Sequence, residues 1–453
     1  MTLASTRTKA EQALSRNFEA VAAKLPGGSA IAEARKAAIG TFAALGLPHR
    51  RIEQWKWTDL RSALKEALPP AVNERHELST PEIDAALEEL AAIDAHRMVF
   101  VDGRHAPQFT AQADLGIEVT PLAEALRPDG SASDALTDQS ITQSITQSIT
   151  GNEAVVALNT AFMTDGAVIR LAKGVRLDKP LLLLFARTAQ EGRLVTLRNR
   201  IALDEGAQAT VIEAHLALPG AAAGQTNTLT DVRLGSGARL AHVKCTLAGE
   251  RASHLATWLA TLGQACVYRA FQLTAGSGLV RNTIFALFKG EGAKLDISGA
   301  FLGRGVEHID TTLVVDHAVP GCESRELFKG VLADRAHGVF QGKVIVRPNA
   351  QKSDGKQMAQ ALMLSPDAEF DSKPELEIHA DDVVCGHGAT AAEIDEDLLF
   401  YMRARGIPVA EARALLIESF IGEAIDKVED ERLRAALAQM AKRRLTGLTA
   451  AQP

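Results

Sequence analysis

The densest run of chemically capable side chains is His379-Ala380-Asp381-Asp382-Val383-Val384-Cys385-Gly386-His387-Gly388. On an extended strand Cys385 and His387, two residues apart, project from the same face. A thiolate beside an imidazole can bind a thiophilic metal, or the imidazole can activate the thiol. An isolated Cys-x-His is more often a buried thiol next to a hydrogen-bonded histidine at a strand end. Here Gly386 and Gly388 shift the balance toward function, because they let a ligand or another backbone approach closely. Asp381 and Asp382 are adjacent and would face opposite ways on a strand, so they cannot by themselves form a paired-carboxylate glycosidase site. One is expected to cap or pair, and the other to be solvated.

The other candidates are weaker. Cys245, Cys266 and Cys322 lie far apart and no Cys-x-x-Cys occurs, so structural zinc and ferredoxin-type sites lack their local ligand cassettes. Each of the three is expected to be a small apolar core residue. His242, His254 and His317, in strand-like segments, take the same default. No Gly-x-x-x-x-Gly-Lys-Ser/Thr loop occurs, so the chain is not itself a P-loop ATPase.

Three zones supply the elements that must position these residues. Residues 1–150 read as a largely helical N-terminal domain, with stop signals at Leu25-Pro26-Gly27-Gly28 and Gly46-Leu47-Pro48 and a strand at Met98 to Val101. Near its end Gln-Ser-Ile-Thr repeats three times over 139–150, a composition too polar to repay ordering and expected to be a flexible surface loop. Residues 151–392 change to short β-rich segments separated by turn-like glycines, as in Glu205-Gly206-Ala207 and Gly290-Glu291-Gly292-Ala293. The repeat is a little under 30 residues, the period of one coil or hairpin stacked on the last. A sandwich and a solenoid both suit that pattern, and the small aliphatic inward positions favour a β-helix. Residues 393–453 return to helix. Asp395 should cap a helix that stops at Gly406, Val409, Ala412, Leu416, Phe420 and Ala424 form one stripe, and Asp430 starts a last helix. This region is either a cap that packs on itself or a partner-docking domain.

The composition agrees with that architecture and excludes some functions. Of 453 residues 46% are hydrophobic but only 4% aromatic, beside 35 glycines. The core must therefore be filled by Ala, Val, Leu and Ile. A net charge of −7 without a run of five or six Lys/Arg, and only two Tyr and three Trp, argue against nucleic-acid binding. The N-terminus has no signal-peptide core, and the apolar run Pro180 to Ala186 is too short to span a bilayer. The protein is expected to be soluble and cytoplasmic, with reduced thiols and no membrane partner.

Residues 330–426 resemble the SufB/SufD family of iron–sulfur cluster assembly proteins. The resemblance lies in Phe340-Gln341-Gly342-Lys343-Val344, Ala350-Gln351-Lys352-Ser353-Asp354, Lys373-Pro374-Glu375-Leu376-Glu377-Ile378, Ala380 to Thr390 and Leu399 to Ile407. Upstream, Gly46-Leu47-Pro48 and Glu53-Gln54-Trp55-Lys56-Trp57-Thr58-Asp59-Leu60 look like the family's N-terminal signature. Cys385-Gly386-His387-Gly388-Ala389-Thr390 places the chain on the SufD side, since the SufB side tends to carry an acidic residue at Cys385. Ala391-Ala392 stand where Val-Gly is commoner in the family, and the Gln-Ser-Ile-Thr insert is a departure from its pattern. The resemblance implies a mainly β protein, a right-handed parallel β-helix core flanked by N-terminal and C-terminal helical domains. It also implies a non-catalytic scaffold that pairs with SufB through the β-helix and binds two copies of the SufC ATPase through about 393–445. A homodimer is the possible assembly of the isolated chain. His387 is then a ligand for a transient Fe–S cluster shared with SufB and passed on to apoproteins, Cys385 is its neighbour at that site, and no tightly bound cofactor is expected on the chain alone. The rival readings are a polysaccharide-acting β-helix enzyme and a stand-alone metal protein using His379, Cys385 and His387.

Overall fold

The computed structural model describes residues 7–72, 78–110, 117–127 and 151–449. The Gln-Ser-Ile-Thr repeat lies outside the described residues. Among the described residues three strands precede residue 151: β1 (His96–Val101), β2 (Arg104–His105) and β3 (Glu118–Pro121). Then follow β4 (Ala167–Leu171), β5 (Leu181–Arg187), β6 (Leu194–Leu203), β7 (Gln208–Ala217), β8 (Gln225–Leu234), β9 (Arg239–Leu247), β10 (Gly249–Leu262) and β11 (Val267–Ala275). The series ends with β12 (Ser277–Phe288), β13 (Lys294–Gly303), β14 (His308–His317), β15 (Glu323–Leu332), β16 (His337–Val346), β17 (Asp354–Met363), β18 (Glu369–Ile378) and β19 (Val384–Ala392).

From β4 onward, alternate strands go to alternate sheets. One sheet runs β19-β17-β15-β13-β11-β9-β7-β5-β1-β2, the other β18-β16-β14-β12-β10-β8-β6-β4-β3. Within each, every pairing among β4 to β19 is parallel. The chain thus crosses from one sheet to the other and returns one coil later, 27 residues on at Val267↔Lys294 and 32 at His337↔Glu369. This is a β-solenoid, not a sandwich of hairpins.

The recurrent glycines mark one corner of the coil. Gly206 and Gly292 take φ of 69° and 68°, a left-handed bend that costs a residue without Cβ little. The residue after the bend turns into the lumen, and Ala207, Ala238, Cys266, Ala293 and Cys322 are all fully buried there. This column is lined only by small side chains, which accounts for part of the aromatic-poor composition and for two of the four cysteines. Cys245 is buried on the outer face instead. Burial pushes the Cys245 and Cys266 thiols up to about 12, so both behave as inert apolar groups.

Helices α1 (Lys9–Val21), α2 (Ser29–Leu45), α3 (Leu60–Ala63), α4 (Thr80–Leu87), α5 (Leu122–Ala125) and α6 (Glu153–Phe162) lie on the N-terminal side. The C-terminal region holds α7 (Glu396–Ala404), α8 (Val409–Ile425) and α9 (Glu431–Thr449). Asp395 caps α7 by accepting from the Asp397 and Leu398 N–H groups, and Gly406, at φ 85°, turns the chain after it. Leu14, Phe42, Leu158 and Phe162 pack on the outer face of the nine-stranded sheet, against Leu194, Leu255 and Leu279. On the ten-stranded sheet, Ile83, Leu87 and Leu90 share one apolar layer with Ile417, Ile421 and Leu437, over Ile212, Val243 and Phe271. Arg444 reaches Glu88 at 2.9 Å, and Arg443 pairs with Glu89. The two helical ends therefore meet.

The stripe expected on α8 is displaced. Ala412 and Ala424 are buried, but Val409 is exposed, and Ile417 and Ile421 take the innermost positions. The helix is wedged between a sheet and α9, so its apolar face is broader than one row. Lys329, on the outer face of β15, anchors it through an ion pair with Glu423 at 2.5 Å and a stacked Phe420 ring at 4.2 Å. Among the described residues no helix is long and apolar enough to cross a membrane.

Candidate functional site

Both candidate residues lie on β19, which ends the ten-stranded sheet and pairs with β17 alone; β18 ends the other sheet in the same way. Among the described residues, the solenoid therefore presents two unpaired strand edges at its C-terminal end. Parallel register sets Cys385 beside Gly355 and His387 beside Gln357. Ala359 and Ala361, on the same face of β17, belong to the lumen core, so Cys385 and His387 face the lumen at its open end.

Cys385 is half-buried and packs against that core, whereas His387 is exposed. Burial holds the Cys385 thiol above its ordinary value, and the nearby Asp354 and Glu326 carboxyls act in the same direction. The thiol is thus not activated as a nucleophile, and ligating a metal would require displacing its proton. Gly355 lets its neighbours pack closely here: a Cβ would stand 3.3 Å from the Val344 Cγ1, 3.4 Å from the Ser324 Oγ and 3.6 Å from the Cys385 Sγ. Gly386 has open space where a side chain would be, while Gly388 makes room for Met358, whose Cε would lie 2.7 Å from a Cβ.

The other residues of the run do not converge on the pair. His379 hydrogen-bonds Glu377 at 3.0 Å, and Lys343 pairs with the same carboxylate at 2.5 Å. Lys343 and then His379 hold Glu377 down to about 2. Asp381 and Asp382 lie in a bend rather than a strand; Asp382 pairs with Lys352 and Asp381 is exposed. Among the described residues no three His, Cys, Asp or Glu side chains come together as a metal site. The open end offers two adjacent donors, fewer than a cluster requires.

The sequence reading missed a polar network in the middle of the lumen. Glu213 accepts from the Thr230 hydroxyl at 2.9 Å and bonds the His242 and His215 rings at 3.0 and 3.2 Å. The far nitrogen of His242 meets the Tyr268 hydroxyl at 2.9 Å. Burial opposes ionisation of Glu213, but the two histidine hydrogen bonds hold its carboxyl well below the ordinary range. Burial lowers Lys244 to about 8 and His215 to about 4. The histidines expected to be plain core are buried, yet His242 belongs to this hydrogen-bonded set. Parity could have exposed it: Val211, Glu213 and His215 share a strand face, as do Leu240, His242 and Lys244.

Trp55 and its neighbours form a clamp. The Arg281 guanidinium stacks at 3.8 Å on the Trp55 ring, pairs with Asp310 and donates to the Gln54 carbonyl at 2.6 Å. Lys373 of β18 pairs with Glu53 at 2.5 Å. The N-terminal run thereby fastens the helical side to the outer face of the sheet that ends in β18.

Comparison with known proteins gives a consistent result. Residues 185–420 match the family described as SUF system FeS cluster assembly, SufBD core domain, and residues 8–183 match the SufBD protein N-terminal region. An iron–sulfur cluster assembly SufBD family protein of Synechocystis is 30% identical over 91% of this chain and 90% of its own length. The iron–sulfur cluster assembly protein SufD of Escherichia coli is 30% identical over 89% and 90%, and that of Bacillus subtilis 24% over 64% and 67%.

Proposed function

The chain belongs to the SufBD family of SUF-system iron–sulfur cluster assembly proteins, and we propose that it is the SufD-type scaffold of a cytoplasmic complex with SufB and the SufC ATPase. In this reading His387, with Cys385 beside it, provides this chain's ligands to a nascent cluster at the junction with SufB. The observation that carries it is the placement of both donors on the lumen face of β19, at an open end with two strand edges. Such edges are templates for pairing with another chain. SufB, adding strands there, would bring the missing thiolates to the two donors.

A cluster held by one imidazole and shared between two chains is easier to release than one held by four local cysteines, which is what passing it on requires. The chain itself performs no bond chemistry, and ATP hydrolysis belongs to SufC. The 151–392 solenoid is the pairing body and 393–453 the SufC-docking region. On α7 and the start of α8, Leu398, Phe400, Tyr401 and Val409 are exposed, an apolar patch that supports docking. SufC movement against this patch would shift the two scaffold chains and open the cluster site.

The test is anaerobic co-expression of the His387→Ala chain with SufB and SufC. The complex should assemble with its cluster absorption reduced at least tenfold, and full cluster content would sink the ligand assignment.

A further inference from the structure

The column of side chains beneath His387 contains a second unusual group. Gln357, its register neighbour on β17, is 3% exposed and faces the lumen in the same row as Ala359 and Ala361. Its side chain crosses to the opposite sheet, where the amide nitrogen donates to the Gly342 carbonyl at 3.3 Å. Because that partner is a carbonyl, the NH2 must point to it, and the orientation of the amide is settled. A Cβ on Gly342 would stand 2.2 Å from the Gln357 Oε1, so the glycine provides the seat for the amide. The Oε1 that remains is buried and has no hydrogen-bond donor among the described residues.

A buried amide oxygen without a donor is destabilising, and an aliphatic side chain would fill this row without that cost. Its two register neighbours can each offer a proton, Glu326 the O–H of its protonated carboxyl and His387 a ring N–H, and of the two only His387 is exposed where a ligand from outside can reach it. An imidazole that ligates through one nitrogen keeps a proton on the other, and an acceptor for that proton orients the ring and raises its basicity. We infer that Gln357 is the positioning residue for His387, its Oε1 accepting the ring N–H opposite the ligating nitrogen when the cluster is present. The inference rests on the reading of His387 as a ligand.

The experiment uses the co-expressed complex carrying Gln357→Leu, Gln357→Glu or His387→Ala. Two signals are read: the 14N coupling of the reduced cluster by pulsed electron paramagnetic resonance, and the rate of iron release to a ferrous chelator. Gln357→Leu should change the coupling and speed release by about 10- to 100-fold, with the thermal midpoint of the chain preserved. Gln357→Glu keeps an acceptor and should stay within a few-fold of wild type. A leucine variant identical to wild type in both signals overturns the inference, as does equal impairment of the leucine and glutamate variants. Persistence of the coupling in His387→Ala overturns the ligand reading itself, and the inference with it.

Discussion

A carboxyl group inside a lumen lined by alanine and phenylalanine is costly to ionise, and Glu326 is such a group. It is 2% exposed; burial raises it to about 8, against the Ser324 hydroxyl and the Arg325 charge, which act the other way. A folded value above the unfolded one means that the native state holds the proton more tightly. The resulting stability is complete below about pH 4.5 and is lost as pH rises toward 8, about 3 kcal/mol of it by pH 7. Glu326→Gln keeps the shape without the titration. The variant should melt above wild type at pH 7.5, with the difference closing near pH 4.5. A constant offset across that range would show that Glu326 does not titrate as stated. His387 contrasts with it: exposed at the mouth of the same lumen, it is free to meet a ligand from outside.

At the scale of elements, the C-terminal helices serve two surfaces. Their inner side completes the apolar layer on the ten-stranded sheet through Ile417, Ile421 and Leu437. Removing 393–453 would uncover that layer and confound any docking experiment with unfolding. The outer side of α7 is separable, since Leu399 is buried while Leu398, Phe400 and Tyr401 are 51%, 71% and 54% exposed. Leu398→Asp with Phe400→Asp should abolish co-purification of SufC, yet change the stability of the isolated chain by no more than about 0.5 kcal/mol per site, as surface substitutions do. Undiminished SufC recovery would remove this patch from the docking surface.

For the whole molecule, the solenoid is held chiefly by contacts between neighbouring coils, so stability should follow position along it. Middle strands such as β11 have a partner on each side, whereas β18 and β19 each have one. Amide hydrogen exchange in the isolated chain should be fastest, among the solenoid strands, in β18 and β19, and should slow there when SufB is added. Protection of β19 equal to that of β11 without SufB would mean the edge is already covered. Much of this architecture was legible in advance: small residues recurring after glycine bends, once per coil, specify a narrow stacked core through local sterics alone. The Cys385–His387 pair was equally legible, because alternation along a strand is a local property. Three things were not. The lumen position of His387 above Gln357 and Gly342 depends on register between strands 15 to 45 residues apart in sequence. The joining of both helical ends over one sheet, and the Trp55–Arg281–Asp310 clamp, unite residues separated by more than 200 positions. Sequence alone determined the repeating coil and the donor pair, since both arise from neighbouring residues; the tertiary structure decided what stands beside that pair and where the coil lies open, since these depend on contacts made only when distant segments pack.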